Sequence, residues 1–310
     1  MKTYSSFAKT CIGANHVRRG IVCQDSSIAV NKENYSLAAV ADGHGSPQYL
    51  RTDKGSQLCI KSAVECVDEF MNELESITEH LACENERETI LLQLWRSIVS
   101  RWHSYTEEDS VKNPFSEEEF AVIPESKQYY KERYKGGDYI KAYGTTLILI
   151  VITENFAFGL QIGDGKCVAL DDNAYAWEPI PADSRCYDCV TTSMSQDDAI
   201  LSGRFCYFDK KNIPPAIFLG SDGIDDSYGN DEMLYAFYRG LALTFAQYGI
   251  DEGTSQLEKF LTDMTRKGSG DDVSCVGIIN LERLNIASEA YLAAVEKLRE
   301  NVDTDIQDET

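Results

Sequence analysis

The stretch "TTLILIVITENFAFGLQIGDG", residues 145–165, decides the architecture. Two apolar, β-branched runs, 145–153 and 155–162, are joined by a short polar turn. That pattern predicts a β-hairpin, so the sheet contains antiparallel pairs. Two further strands are predicted at 216–221 and 273–279. Around them the spacing changes from strand to helix. Ile60, Ala63, Val64, Val67, Met71 and Leu74 share one face of a helix over 54–76, and Leu91, Leu94, Trp95, Ile98 and Trp102 do so over 88–103. Helical spacing recurs at 231–248 and 255–266, and again in a last amphipathic stretch from Leu284 to Leu298. Residues 108–143 and 171–212 carry no clear period; the first reads as a long surface insertion. The chain is therefore a mixed helix and sheet protein whose amphipathic helices cover a sheet.

At 310 residues the chain is long enough to bury roughly 75% of its unfolded surface, as one large domain or one domain with an appendage. Fifty-one acids against 29 bases leave a formal charge of −22, a field that repels nucleic acid and anionic membrane and leaves room for cations, metals included. No run is apolar enough to span a bilayer, and the N-terminus lacks the apolar segment of a secretory signal, so a cytoplasmic location is expected. Ten cysteines at irregular spacing, with Cys186 and Cys189 as the one close pair, make no four-cysteine zinc site and read as reduced.

Four strand-like runs end in, or begin just after, an acid beside glycine: "AVADGHG", "GLQIGDG", "FLGSDG" and "GSGDDVSCV". Acids set in tight turns at sheet ends can converge from distant parts of a chain. Asp42, Asp164, Asp222 and Asp271 would then form an all-oxygen site of the kind that suits magnesium or manganese. With four histidines in the chain, a histidine-rich zinc or iron site is not expected. His44, beside Asp42, could protonate a leaving oxygen.

The ordered segments "CQDSS", "AVADGHGS", "GTTLILIVI", "IGDGKCVAL", "LGSDGIDDS" and "GSGDDVSCVGII" resemble the metal-dependent serine/threonine phosphatases of the protein phosphatase 2C type, in a divergent, bacterial-like branch. The resemblance spans residues 13–280. It implies an α+β fold: a central antiparallel β-sandwich flanked by α-helices on both sides, four layers in the order αββα. It implies two manganese or magnesium ions, with a third held more weakly. Residue by residue, Asp42 would bridge the two ions and the carbonyl of Gly43 would add a ligand. Asp222 and Asp271 would complete one carboxylate shell, with Asp272 competing for the latter role. Asp25 would hold metal-bound waters, Asp164 would serve the third ion, and His44 would be the general acid. The expected reaction is hydrolysis of phosphoserine and phosphothreonine by a metal-bridging hydroxide, on a phosphoprotein whose kinase the enzyme opposes.

The sequence departs from that pattern in three places. Gln24 stands where the family pairs Glu with Asp25, Gly20 stands where it carries a phosphate-binding arginine, and "GDGK" replaces "GDSR". Arg18, Arg19 and His16 are the candidates to bind phosphate instead. The missing arginine keeps open a non-catalytic phosphoprotein-binding relative, and a phosphatase of small metabolites is the other alternative. Residues 1–280 would form the catalytic domain, with 108–143 as its insertion and 171–212 as a variable flap that shapes substrate choice; 281–310 would add a helix and an acidic tail.

Overall fold

The computed structural model describes residues 3–187 and 190–297. Its strands, in chain order, are β1 (Ser5–Cys11), β2 (Ser26–Asn31), β3 (Tyr35–Ala41), β4 (Leu147–Thr153), β5 (Phe156–Ile162), β6 (Lys166–Leu170), β7 (Ala176–Trp177), β8 (Arg204–Asp209), β9 (Ala216–Gly220) and β10 (Val273–Ile279). They form two five-stranded sheets, ordered β1-β10-β9-β6-β7 and β2-β3-β4-β5-β8, with every pairing antiparallel. The predicted hairpin is β4–β5, in which Leu147 pairs with Ile162 and Ile152 with Ala157.

Its two apolar runs have no polar face because the hairpin is covered on both sides. Side chains alternate across a strand. Ile148, Ile150 and Ile152 point at the other sheet, where they meet Cys167, Ala169, Ile217, Leu219, Val276 and Ile278. Leu147, Leu149 and Val151 point outward, beneath α2 (Thr52–Met71), α3 (Leu74–Ala82) and α4 (Glu84–Lys112). The other sheet repeats the arrangement. Phe218, Val273 and Cys275 face a long helix over Asp231–Lys267, in which Gly249 is non-helical. The expected pair of helices, 231–248 and 255–266, are the two arms of that element. These are the four layers, αββα, that the resemblance implies.

Residues 108–143 are more ordered than their lack of period suggests. They continue α4 to Lys112 and then turn through short helices at Glu117–Ala121 and Tyr129–Lys135. Phe120, Ile123, Tyr130, Tyr134 and Tyr143 from this stretch are buried in the same core as α2 and α4. Arg51 is the hub: at 4% exposure it forks onto Glu119 at 2.7 and 3.1 Å, donates to the Tyr143 hydroxyl at 2.9 Å, and lies 3.9 Å over the Phe115 ring. Aromatic rings gathered around one guanidinium leave no periodic trace. Residues 171–212 likewise contain β7 and the edge strand β8, although no strand is predicted there.

Beyond β10, the stretch Leu281–Ile286 and residues 288–297 are helical, and Leu284, Ala287 and Tyr291 are buried against the long helix. Leu298 and the acidic tail lie outside the described residues, as does Cys189; the nine described cysteines are free thiols. No described helix is long and apolar enough to cross a membrane.

Candidate metal centre

Antiparallel pairing decides which turns meet. Asp42 follows β3, Asp25 precedes β2, Asp164 lies between β5 and β6, Asp222 follows β9, and Asp271 and Asp272 precede β10. All these turns fall at one end of the sandwich.

Local contacts hold each in place. The Asp42 amide donates to Thr146 Oγ1 at 3.1 Å, and its carbonyl accepts from the Thr146 amide and the Thr145 hydroxyl, both at 2.8 Å. At Gly43 a Cβ would lie 2.5 Å from Thr52 Oγ1 and 2.7 Å from the Gln24 carbonyl, so this turn admits only glycine without displacement. Gly223 has the same constraint: a Cβ there would fall 2.1 Å from the Asp272 carbonyl. Its absence lets Asp222 approach the 271–272 turn.

The carboxylates act on one another. Burial lifts Asp42 well above the usual carboxylate range, and the charges of Asp222 and Asp25 lift it further. Burial pushes Asp25 up to about 8, against hydrogen bonds from Ser274 and Ser221, with Asp272 adding to the rise. Asp222 rises to about 6, first by burial and then through Asp164, Asp271 and Asp226. Among the described residues none of Asp25, Asp42, Asp164 and Asp222 has a Lys, Arg or His ion-pair partner. Oδ2 of Asp25 and Oδ1 of Asp225 are buried without a hydrogen bond. Uncompensated carboxylates of this kind are costly to bury. A hard divalent cation would supply the missing charge, and the oxygen donors fit magnesium or manganese.

Comparison with known proteins agrees. A sequence model of the family described as Protein phosphatase 2C matches residues 12–262. The chain belongs to the protein phosphatase 2C family. It is a metal-dependent protein serine/threonine phosphatase.

Solved structures share this phosphatase's fold. Stp1 from Staphylococcus aureus, a serine/threonine phosphatase, is 16% identical, with 90% of this chain and 95% of that one covered and a TM-score of 0.54. The catalytic domain of the phosphatase PstP, solved with two manganese ions, is 15% identical over 89% of this chain and 97% of that one, at 0.53. PppA, a regulatory component of T6SS in Pseudomonas aeruginosa, is 17% identical over 90% and 98%, at 0.52. No curated protein sequence matches.

Within the phosphatase, Asp271 and Asp272 stand in different surroundings. Asp272 is 3% exposed, and its two oxygens accept from the Gly13 and Gln24 amides, each at 2.6 Å. Asp271 is exposed and faces Asp222 and Asp226. Asp272 therefore braces the 13–24 segment, while Asp271 is left open toward the other acids.

His44 has no hydrogen bond or ion pair with the acids among the described residues. Its Nε2 lies 2.8 Å from Ser193 Oγ and its ring packs edge-on against Tyr49. Burial, and secondarily the Lys141 ammonium, lower it to about 4. Arg18 and Arg19 are exposed and carry no carboxylate partner among the described residues; Arg18 donates to Asn15 Oδ1. His16 lies instead beside Asp272 and Asp271, with Nδ1 3.0 Å from Asp272 Oδ1 and Nε2 3.7 Å from Asp271 Oδ1.

A cleft of about 280 Å³ opens beside Asp222, lined by Asp164, Asp225, Asp226, Lys166 and Arg204, with Tyr187 from the 171–212 segment as a wall. Sequence reasoning assigned no role to Ser193, Lys141, Arg204, Asp225 or Asp226. "SDGIDDS" held a signal for the last two; the others lie where no motif or period marks them.

Proposed function

We propose that this phosphatase removes phosphate from phosphoserine and phosphothreonine in proteins at the cluster of Asp42, Asp222, Asp271, Asp25 and Asp164. The observation that carries this reading is a set of mutually repelling, partly orphaned carboxylates gathered from separate strand ends beside an open cleft. Asp42, with the Gly43 carbonyl, and Asp222 and Asp271 would hold two ions, and Asp164 a third, weaker one. Bound there, such ions supply Lewis-acid binding of phosphate and a water acidic enough to attack it at neutral pH. Asp25 orients water through its unpaired Oδ2. Arg18 and Arg19, exposed and without a carboxylate partner among the described residues, are the phosphate-binding candidates; His16, turned toward Asp271 and Asp272, is not retained in that role. The wall built by residues 171–212 selects among substrates, and 108–143 braces the loop behind it. A cytoplasmic site of action opposite a serine/threonine kinase completes the proposal and rests on the sequence alone.

The test is hydrolysis by chelator-stripped protein, with and without manganese, of a phosphothreonine peptide and of a sugar phosphate. Turnover of the peptide only with manganese is the expected result. Turnover of the sugar phosphate alone would make the enzyme a metabolite phosphatase, and metal binding without turnover would make it a binding module.

His44 is the candidate to protonate the leaving oxygen; because burial lowers it to about 4, it would have to take up that proton as the substrate displaces Ser193 from Nε2. His44→Ala should then slow an aliphatic phosphoester about 10²- to 10⁴-fold and an aryl phosphate, whose leaving group needs little protonation, far less. Equal losses on both would assign His44 to structure.

A further inference from the structure

The short helix Ala14–Arg19 is fastened to the turn that carries Asp271. The Asn15 amide donates to the Gly270 carbonyl at 2.9 Å and the Gly13 amide to Asp272 Oδ1 at 2.6 Å. Thr265 Oγ1 accepts from the Ala14 amide at 2.9 Å and donates to the Asp271 carbonyl at 2.7 Å. These bonds bring the His16 ring to the acids at a defined height. His16 is 9% exposed, and its buried Nδ1 has no hydrogen bond, although Asp272 Oδ1 stands 3.0 Å away. Its other nitrogen, Nε2, is 3.7 Å from Asp271 Oδ1. One donor atom from each of His16, Asp271 and Asp272 lies within 4.8 Å of the other two.

We propose that His16 is a metal ligand: its Nε2 supplies a nitrogen donor to the ion that Asp271 holds. The inference rests on the metal centre described above and adds an imidazole to its carboxylates. Two donors each about 2.1 Å from one ion stand roughly 3 Å apart when adjacent and about 4.2 Å apart when opposite. The 3.7 Å between Nε2 and Asp271 Oδ1 falls inside that range. Asp272 completes the arrangement from behind. A carboxylate beside the far nitrogen orients a ligating imidazole and keeps its metal-facing nitrogen unprotonated. Asp272 can play that part because the Gly13 and Gln24 amides already fix its carboxylate.

The rival reading is a histidine that merely pairs with Asp272. It leaves Nε2 of a largely buried ring 3.7 Å from Asp271, a carboxylate that has no other cation partner among the described residues. An ion shared between His16 and Asp271 fills that gap. It also shifts metal choice, because an imidazole nitrogen is a softer donor than a carboxylate oxygen and so disfavours magnesium, the harder ion, relative to manganese.

Pulsed electron paramagnetic resonance on the manganese-loaded full chain reads this directly. We expect a histidine-nitrogen coupling that changes when histidine is labelled with nitrogen-15, persists in His44→Gln and is absent in His16→Gln. Calorimetry should show the preference for manganese over magnesium falling about 10-fold or more in His16→Gln. Bound manganese without histidine coupling in the wild-type chain would overturn the assignment, whatever the fate of the variant. So would a coupling that survives His16→Gln. A chain that binds no manganese at all would overturn the metal centre as well, which separates the two failures.

Discussion

Asp42→Asn is expected to reduce manganese-dependent turnover of a phosphothreonine peptide by about 10³-fold or more, while leaving the metal-free protein at least as stable as the wild type. The two effects have one cause. Asp42 sits among like charges, burial and Asp222 raising its affinity for a proton. Without an ion, that arrangement costs folding free energy, and the isosteric amide relieves it without a cavity. With an ion, the amide lacks the negative charge that would hold it. A 10³-fold loss corresponds to about 4 kcal/mol of transition-state stabilisation, within the several kcal/mol a Lewis-acid ion supplies. Thermal unfolding gives a second readout. Manganese at 100 times its dissociation constant should stabilise the wild-type chain by about 2.7 kcal/mol and the variant hardly at all. Near-wild-type turnover at low manganese would show that Asp42 is not a ligand.

The parts of this structure legible in the sequence are those where burial leaves a pattern. The β4–β5 hairpin is covered on both faces and reads as unbroken apolar runs. The helix Thr52–Met71 and the core of Glu84–Lys112 each lay one face on a sheet and read at helical spacing. β1 and β8 are edge strands, half-exposed along most of their length, and have no such signature. The acids at strand ends were legible because a turn acid beside glycine recurs four times. How differently Asp271 and Asp272 are held was not. That depends on two backbone amides, of Gly13 and Gln24, about 250 residues away in the chain. His16 was marked only as a cation near a missing arginine; its contact with Asp271 comes from how the Ala14–Arg19 helix is fastened to the 270–272 turn.

Arg51→Ala should produce the largest loss of stability of any single polar substitution, about 3–5 kcal/mol by chemical denaturation. Removing one partner of a buried ion pair strands the other, and here several partners are stranded together. The two oxygens of Glu119 lose the guanidinium fork, Asp109 loses a contact at 3.3 Å, and the Tyr143 hydroxyl loses a donor. The Phe115 ring loses the cation it stacks under. Arg51→Lys keeps the charge and loses the fork, so its cost should fall between those of alanine and wild type. The damage should also reach the metal loop. The Arg51 amide donates to the Ala142 carbonyl, the neighbouring Thr52 hydroxyl donates to the Gly144 carbonyl at 2.6 Å, and Thr52 is the residue against which Gly43 is pressed. A weaker manganese affinity in Arg51→Ala, measured well below its unfolding midpoint, is the sign that residues 108–143 brace the site. A stability loss below about 1 kcal/mol would mean that these ion pairs behave as solvent-screened surface pairs, and the segment would then be held by its aromatic rings alone.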